Sequence, residues 1–301
     1  MRIKEYAKIR RHDIRGSCLS PEPLNPESTI VISGPTSGIG LQIARDLAAM
    51  GASLVLACRD VVKGEAVATE LRGGGASAVA VRGFDAADAD SIQAFARACA
   101  AGFPRLAVLV NNAGVARARR QLTPDGFELT FATNVLGYHR LSLALLDQLK
   151  ASGPARIVNV ASTFAGDLDL DDLQFERRPY DELAAYAQSK ACNRLLTWAL
   201  ARRLEGSGVT ANAMAPGFVP ATGLARGLSA DLQRSYARRT GRSVEEGADT
   251  AVWLASSPDV AGIAGRFFYD RREQPCEFRD RALEERLWRI VTPDATAGGS
   301  P

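Results

Sequence analysis

Short β-branched segments alternate with longer segments rich in Ala, Leu and Arg, and this alternation constrains the fold of the chain most. From Thr29 onward the β-branched runs are TIVIS, SLVLA, AVAVR, LAVLV, ARIVNV, VTANAMA and GRFFY. Near-continuous apolar strands of this kind are typical of parallel sheets buried on both faces, with the intervening segments as crossover helices. The pattern predicts an α/β fold with one doubly wound parallel sheet and helices on both faces.

We expect one folded domain over residues 29–270, because no internal repeat or interdomain linker is visible there. Residues 1–28 are basic and then rich in proline, which is typical of an N-terminal extension. Residues 271–301 are interpreted as a polar C-terminal tail. The stretch 165–182, dense in Asp and Glu, predicts an inserted loop with a solvated charged face.

Composition excludes several classes of protein. A hydrophobic content of 46% is too high for a disordered chain, and 37 basic against 34 acidic residues is too balanced for a protein that grips nucleic acid. No apolar run approaches the roughly 20 residues of a membrane-spanning helix. The five cysteines are scattered, and the two histidines form no metal-binding cluster, so we expect a cytoplasmic protein without a metal site.

A glycine-rich turn follows the first predicted strand. It reads Ser33-Gly34-Pro35-Thr36-Ser37-Gly38-Ile39-Gly40 and leads into the amphipathic segment LQIARDLAAM. A strand, a glycine turn and a helix N-terminus together bind the pyrophosphate of a dinucleotide, because glycines admit the ligand and free N–H groups favour the anion. The alternative is an ordinary tight turn between a strand and a helix.

The second predicted strand ends at Cys58-Arg59-Asp60, where a dinucleotide fold distinguishes a ribose 2′-hydroxyl from a 2′-phosphate. The Arg59 guanidinium would bind a phosphate, so the sequence favours NADP over NAD. Asp60 could oppose this preference, and Arg59 could also be only a solvated loop arginine. After the third strand, Asp85 is placed to contact the adenine edge.

Four polar residues form a candidate catalytic set: Asn134 in a predicted helix, Ser162 after a strand, and Tyr186 and Lys190 in one helical turn. A four-residue step puts Tyr186 and Lys190 on one helix face, so the ammonium could lower the phenol pKa. Such a tyrosine can give or take a proton near neutral pH. Lysine is scarce in this chain, which makes Lys190 more informative.

The chain resembles a classical short-chain dehydrogenase/reductase from about Thr29 to Tyr269. The motifs that carry the resemblance, in order, are Gly34-x-x-x-Gly38-Ile39-Gly40, Asn111-Asn112-Ala113-Gly114, Asn134, Ser162, Tyr186-x-x-x-Lys190 and Pro216-Gly217. The phrases ACRDVVKGE, FATNVLGYHRL and LEERLWRIV resemble the branch that contains retinol dehydrogenases and protochlorophyllide reductases.

The resemblance implies a Rossmann fold, NAD(P) as cofactor and hydride transfer at a carbonyl or alcohol carbon. Tyr186 would be the general acid/base, Lys190 would hold the nicotinamide ribose, Ser162 would bind the substrate oxygen, and Asn134 would hold a water that resupplies protons. The cofactor-binding residues implied are Gly34, Ser37, Gly38, Ile39, Gly40, Arg59, Asp85, Asn112, Tyr186, Lys190 and Val219. Two alternatives are reduction of a conjugated carbon–carbon double bond and a dinucleotide-binding scaffold without turnover.

The segment from Phe218 to Arg242 would be a lid over the nicotinamide. Its apolar residues suggest an apolar wall and a small, largely apolar substrate; they are Phe218, Val219, Leu224, Leu228 and Leu232. The alternative concerns its arginines, which could be solvated or could meet an acidic group of the substrate; they are Arg226, Arg234, Arg238, Arg239 and Arg242.

The predicted helices 124–150 and 181–205 carry more apolar positions than one core-facing stripe requires, for example Leu195, Leu196, Trp198 and Leu200. An exposed apolar stripe usually marks an interface, so we expect a homodimer or homotetramer. The alternative is that the N-terminal arm or the tail from Asp270 covers the stripe and leaves a monomer.

Overall fold

A computed structural model describes residues 29–276 and 278–292 of the chain. The expected N-terminal extension and the last residues of the expected tail lie outside these ranges. Within the described residues, eight strands form one sheet in the order β3-β2-β1-β4-β5-β6-β7-β8. The strands are β1 Thr29–Ser33, β2 Ser53–Cys58, β3 Ala78–Gly83, β4 Leu106–Asn111, β5 Ala155–Val160, β6 Val209–Ala215, β7 Phe267–Tyr269 and β8 Arg272–Glu273.

The sheet is parallel from β3 to β7, and β8 pairs antiparallel with β7. The strand order reverses between β1 and β4, which places a crevice at the carboxyl ends of these two strands. Open α/β sheets bind their ligands at this point. The doubly wound fold predicted from the alternation of segments is therefore confirmed.

Helices cover both faces of the sheet. They are α1 Gly38–Ala49, α2 Val61–Gly73, α3 Ala89–Gly102, α4 Leu129–Phe131, α5 Gly137–Ala144, α6 Leu146–Ala151, α7 Glu182–Arg203, α8 Ala230–Ala237, α9 Val244–Ser256 and α10 Arg281–Val291. On one face Ile43 of α1 and Ala251 of α9 are fully buried against strand residues such as Leu54. On the other face Phe95 of α3 and Leu141 of α5 pack against Leu109. Each face therefore has its own hydrophobic core.

The helix expected over 124–150 is interrupted. It begins at Leu129, widens into a π-helical turn at Ala132–Leu136, and breaks at Leu145 between α5 and α6. The residues before it form a tight turn in which the Gly126 N–H donates to the carbonyl oxygen of Thr123 at 3.0 Å. The helix expected over 181–205 is α7, whose N-cap Asp181 accepts from two backbone N–H groups.

The inserted stretch 165–182 has no helix or strand before α7, as expected, but it is not simply a solvated charged surface. Leu170, Leu173 and Phe175 are buried. The carboxylate of Asp172 is also buried, and it accepts backbone hydrogen bonds from Glu176, Arg177 and Arg178. The acidic side chain folds the loop back on itself, because a buried carboxylate needs several donors.

The described part of the C-terminal segment, residues 271–276 and 278–292, is folded against the domain rather than extending from it as a tail. Leu287 and Val291 of α10 are buried against the outer face of α7. The indole of Trp288 lies under the Arg203 guanidinium at 4.1 Å, and Arg202 forms an ion pair with the buried carboxylate of Glu284. An ion pair and a cation–π contact, one helical turn apart on α10, therefore reinforce an apolar seam.

The apolar residues of α7 that led us to predict a homo-oligomer are not exposed. Leu195, Leu196, Trp198 and Leu200 are all buried within the single chain. α10 covers part of this face, because its apolar side chains face α7. The exposed stripe that argued for pairing is therefore absent from the described part of the chain. In that same part, no helix is both long and apolar enough to cross a membrane.

Candidate active site

The glycine turn between β1 and α1 needs glycine for two physical reasons. Gly34 and Gly38 have φ angles of +67° and +55°, a left-handed conformation that other residues rarely adopt. At Gly40 a Cβ atom would lie 2.3 Å from both the Gly34 carbonyl oxygen and the Asn112 amide nitrogen. Any side chain at Gly40 would therefore push the turn apart.

The N-terminus of α1 is open to an anion. Its N-cap residue Ser37 makes no capping side-chain bond, and the first turn holds no acidic residue. By contrast, Asp60, Asp88 and Asp181 cap α2, α3 and α7 with side-chain oxygens. Uncapped N–H groups beside a close-packed glycine turn fit the pyrophosphate of a dinucleotide. The residues present are thus compatible with the cofactor implied by the sequence.

Asn112 holds this turn in place from the neighbouring strand end. Its amide nitrogen donates to the carbonyl oxygens of Ser33 at 2.9 Å and Gly34 at 3.1 Å. In return the Ser33 hydroxyl accepts from the backbone N–H groups of Asn112 and Ala113. The amide of Asn112 therefore links the carboxyl ends of β1 and β4 across the crevice.

Arg59 and Asp60 differ sharply in what they contact at the end of β2. Asp60 caps α2 by accepting from the Lys63 N–H at 3.0 Å, and it pairs with the Lys63 ammonium at 2.9 Å. The hydrogen bonds from Lys63 lower the pKa of the Asp60 carboxyl. Arg59 is exposed and has no ion-pair partner among the described residues. Asp60 is thus engaged locally, while the Arg59 guanidinium stays available.

Two other predicted cofactor contacts lie beside the same crevice. The Asp85 carboxylate follows β3 and accepts from the N–H of Ala87 at 2.9 Å, so it stabilises its own turn. Val219 is buried near Gly247, where a Cβ would come within 2.7 Å of the Val219 side chain. The side chain of Ile39 lies on the same side of Gly247, 3.5 Å from where a Cβ atom of that residue would be. Val219 and Ile39 therefore form an apolar wall beside the phosphate turn.

Tyr186, Ser162 and Lys190 come together at the carboxyl end of β5. The hydroxyl of Ser162 accepts from the Phe164 N–H at 3.0 Å and lies close enough to the Tyr186 phenol to lower its pKa. The Lys190 ammonium donates to the carbonyl oxygen of Val160 at 2.8 Å and lies 5.7 Å from the centroid of the Tyr186 ring. It also lies 5.2 Å from the centroid of the Tyr138 ring. The set predicted from sequence spacing is thus assembled in one place.

The electrostatics of this cluster differ from the expectation that Lys190 lowers the phenol pKa. Burial raises the pKa of Tyr186 above its ordinary value, although the nearby Ser162 hydroxyl acts in the opposite direction. Burial also lowers the pKa of Lys190 to about 7. The hydroxyl of Ser162 is therefore the group within this chain that favours the phenolate, and the ammonium is itself destabilised by loss of water.

Asn134 lies inside the π-helical turn and is fully buried. Its amide oxygen accepts from the Val115 N–H at 2.8 Å, and its amide nitrogen donates to the Val115 carbonyl at 2.9 Å and the Ser189 hydroxyl at 3.0 Å. A Cβ at Gly114 would be 3.4 Å from the Asn134 oxygen and 3.8 Å from the Lys190 nitrogen. The widened turn thus brings Asn134 and Lys190 to the same side of Gly114.

The predicted lid contains a short 3₁₀ helix, Gly223–Gly227, and α8. The Ala118 N–H donates to the Gly227 carbonyl at 2.7 Å, and the Ser229 N–H donates to the Glu182 carboxylate at 2.7 Å. The ring of Tyr236 packs edge-on against the ring of Phe218, with 5.1 Å between the ring centroids. The Tyr236 phenol is also close enough to contribute to raising the Tyr186 pKa, so the lid lies over the site.

The lid arginines do not share one role. Arg234 pairs with Asp231 and Arg242 pairs with Asp270, so these two guanidinium charges are matched by carboxylates. Arg239 lies over the ring of Phe218 at 4.4 Å. The aromatic wall that Phe218 and Tyr236 form is a feature that sequence reasoning had only partly identified, since it had singled out Phe218 but not Tyr236.

Sequence reasoning also missed Arg194, a buried arginine one helical turn beyond Lys190. Its guanidinium donates to the carbonyl oxygen of Ser162 and lies 3.6 Å from the centroid of the Phe267 ring. The signal that could have identified it is an arginine within the apolar stretch of a helix. The four-residue step from Lys190 places it on the catalytic face of α7.

Comparison with known proteins agrees with this geometry. The profile of the short chain dehydrogenase family matches residues 28–233. Human retinol dehydrogenase 13 is 39% identical over 285 residues, covering 91% of this chain and 86% of the relative. Mouse retinol dehydrogenase 12 is 38% identical, covering 94% of this chain and 90% of the relative.

Solved structures show the same similarity. The crystal structure of an uncharacterized protein from Mycobacterium Paratuberculosis has a TM-score of 0.68 at 32% identity, covering 88% of this chain and 91% of that chain. The crystal structure of a metagenomic short-chain oxidoreductase in complex with NADP has a TM-score of 0.60 at 27% identity, and the match covers 79% of this chain and 94% of that chain. Together with the matching profile, these relatives show that the chain belongs to the short-chain dehydrogenase family, in the branch that contains the retinol dehydrogenases.

Proposed function

We propose that the chain is an NADP(H)-dependent oxidoreductase that interconverts a carbonyl group and an alcohol on a small, largely apolar substrate. The observation that carries the proposal is the grouping of Tyr186, Ser162 and Lys190: the Lys190 ammonium lies 5.7 Å from the centroid of the Tyr186 ring, and the Ser162 hydroxyl is near enough to lower the pKa of the phenol. This arrangement supplies a proton donor at a site where a substrate oxygen can also be held. Family membership supports the reaction class.

The bound nicotinamide supplies or accepts the hydride in this reaction. In the reductive direction Tyr186 gives its phenolic proton to the substrate oxygen, and the Ser162 hydroxyl donates a hydrogen bond to the same oxygen. Lys190 contributes positive charge near the resulting phenolate. Asn134 keeps the loop after β4 beside Lys190 through its bonds to Val115, which preserves the geometry of the set.

The preference for NADP rests on Arg59. The guanidinium is exposed at the end of β2, and the neighbouring Asp60 is engaged by Lys63, so the local charge open to a ligand is positive. A ribose 2′-phosphate would gain a charge-assisted contact there, whereas a 2′-hydroxyl would gain much less. The NADP complex of the metagenomic relative supports this preference.

The substrate class follows from the lid and from the relatives. Val219 and Leu228 are buried, and Phe218 and Tyr236 form an aromatic wall above Tyr186, so the space over the nicotinamide favours an apolar substrate. The relatives are retinol dehydrogenases. We therefore propose that the chain accepts largely apolar aldehydes and alcohols, of which retinal and retinol are suitable probes.

The proposal is tested by NADPH oxidation with a panel of apolar and charged aldehydes and ketones that includes retinal. The expected result is turnover of the apolar members with an alcohol as product. A product with a saturated carbon–carbon bond would indicate the double-bond reduction instead. Tight NADPH binding without turnover of any member would indicate a dinucleotide-binding scaffold.

We infer that the chain does not pair through the outer face of α7. Leu195 and Trp198 of this helix are buried, and Leu287 of α10 contributes to the covering layer. A second copy would have to displace α10 to reach the same surface. In this proposal the intramolecular helix takes the place of the partner that the apolar pattern of the sequence predicted.

A further inference from the structure

Arg194 joins the main chain of the catalytic serine to the C-terminal segment. One end of its guanidinium donates to the Ser162 carbonyl oxygen, and the other nitrogen lies 3.7 Å from the Cys276 sulfur. The guanidinium carbon lies 3.6 Å from the ring centroid of Phe267 and 5.3 Å from that of Phe278. A single buried side chain therefore contacts the active site, the last parallel strand and the segment before α10.

The position of Arg194 on α7 explains how it reaches Ser162. Tyr186, Lys190 and Arg194 follow one another in four-residue steps, so their side chains lie on one face of the helix. Lys190 binds the carbonyl oxygen of Val160 at the end of β5, and Arg194 binds that of Ser162 two residues later. Two cationic side chains of α7 thus bind two backbone carbonyl groups, two residues apart, in the segment that carries the Ser162 hydroxyl.

We propose that Arg194 is a positioning residue for Ser162, and that the C-terminal segment holds Arg194 in its working orientation through Phe278 and Cys276. This inference rests on the proposed function, because it assigns a task to Ser162. The peptide carbonyl of Ser162 is fixed by the guanidinium, so the serine backbone cannot rotate freely. Its hydroxyl consequently stays near the Tyr186 phenol, whose pKa it lowers.

The stacking partners favour arginine over lysine at this position. A guanidinium is planar and can lie flat on Phe267 while donating in its own plane to two different acceptors. An ammonium on a lysine stem carries the same charge but cannot make this flat, two-ended contact. Because Arg194 is only 6% exposed, its orientation depends on these neighbours and not on solvent.

The first test compares Arg194→Lys and Arg194→Met with Arg203→Met as a matched control. Arg203 is also on α7 and also stacks on an aromatic ring of the C-terminal segment, Trp288, but it contacts no active-site residue. We expect both Arg194 variants to lower kcat by about 10- to 100-fold, the scale of a small misplacement of a reacting group. Binding of NADPH should change by less than about twofold.

The control should keep the wild-type kcat, even if it lowers the melting temperature. A purely structural role for Arg194 would lower the melting temperature but leave kcat unchanged at a temperature where the variant is folded. Wild-type kcat in folded Arg194→Met would overturn the proposal.

If both Arg194 variants fail to fold, Phe278→Leu serves as a milder variant, because it loosens only one stacking partner of Arg194. Its kcat should fall while NADPH binding is kept. Wild-type kcat in Phe278→Leu would then overturn the proposal.

A second readout does not depend on finding a substrate. Crystal structures of the wild type and Arg194→Met should differ in the contact between the Ser162 hydroxyl and the Tyr186 phenol, which the variant loses. A contact retained unchanged in the variant would overturn the positioning role even if no carbonyl compound is turned over. Absence of wild-type turnover together with loss of the contact would refute the proposed function and leave the positioning role supported.

Discussion

The Lys190 ammonium lies 5.7 Å from the centroid of the Tyr186 ring and donates its hydrogen bond to the Val160 carbonyl oxygen at 2.8 Å. The lysine is thus held by the strand end, and the group that lowers the pKa of the phenol is the Ser162 hydroxyl. The cationic group near the phenol and the hydroxyl that lowers the pKa of the phenol are therefore two different residues. Replacing either should affect catalysis in a different way.

Replacing Tyr186 with Phe should abolish most turnover and spare cofactor binding. The variant loses the phenolic proton but keeps the ring, so we expect kcat to fall by about 100-fold or more. Steady-state kinetics and a direct measurement of NADPH affinity check both parts. Lys190→Ala should in addition weaken NADPH binding, because the resemblance gives the ammonium a contact to the ribose. Turnover near the wild-type rate in Tyr186→Phe would contradict the assignment.

Replacing Arg59 with Ala should narrow the preference for NADP(H) over NAD(H). The change removes one charge-assisted contact, worth roughly 1.5 to 3 kcal/mol, and leaves NAD(H) affinity nearly unchanged. Dissociation constants of both cofactors, measured at one salt concentration, give the difference. Arg97→Ala removes an exposed positive charge from α3 and serves as the control. Equal affinities of the wild type for both cofactors would refute the role of Arg59.

Burial of Lys190 should make the stability of the cofactor-free protein depend on pH. The folded pKa of Lys190 is about 7, whereas an exposed lysine titrates near 10.4. Between these values the unfolded chain binds the proton and the folded chain does not, so the free energy of unfolding rises with pH. Below pH 7 both states are protonated, and the cost of burying the charge is fully present.

Urea unfolding of the wild type and Lys190→Met from pH 6 to pH 9 measures this dependence. The wild type should gain stability relative to the variant above pH 7, by at most about 1.4 kcal/mol per pH unit. Methionine has a similar length and does not titrate, so the other ionisable groups cancel in the comparison. A difference between the two proteins that stays constant over this range would show that Lys190 is not desolvated.

Leu287 of α10 should control both stability and self-association. The side chain is fully buried in the seam with α7, so Leu287→Ala should cost about 2 to 5 kcal/mol and loosen the cover. Ile290 lies on the same helix with 44% of its surface exposed, and Ile290→Ala is the matched control. Light scattering should give one chain, 32.1 kDa, for the wild type and a larger mass for Leu287→Ala. The mass of two chains for the wild type would contradict this prediction.

The positions of β1, β5 and β6 were predicted almost residue for residue from the sequence, because buried β-branched runs bounded by turns have few other possible structures. The glycine turn at Gly34 and Gly38 was predicted for a similar local reason, since positive φ angles select glycine. The Tyr186 and Lys190 pair was also evident, because a four-residue step defines one helix face. All these features depend on neighbours along the chain.

Tertiary structure alone decided the features that depend on distant partners. α10 covers α7 although nearly eighty residues separate the end of one helix from the start of the other. The bond from Arg194 to Ser162 and the raised pKa of Tyr186 likewise depend on which groups are brought together and how much water they lose. Local patterns determine which elements form and which face each presents, but burial and long-range contacts determine whether a face is free and how its side chains ionise.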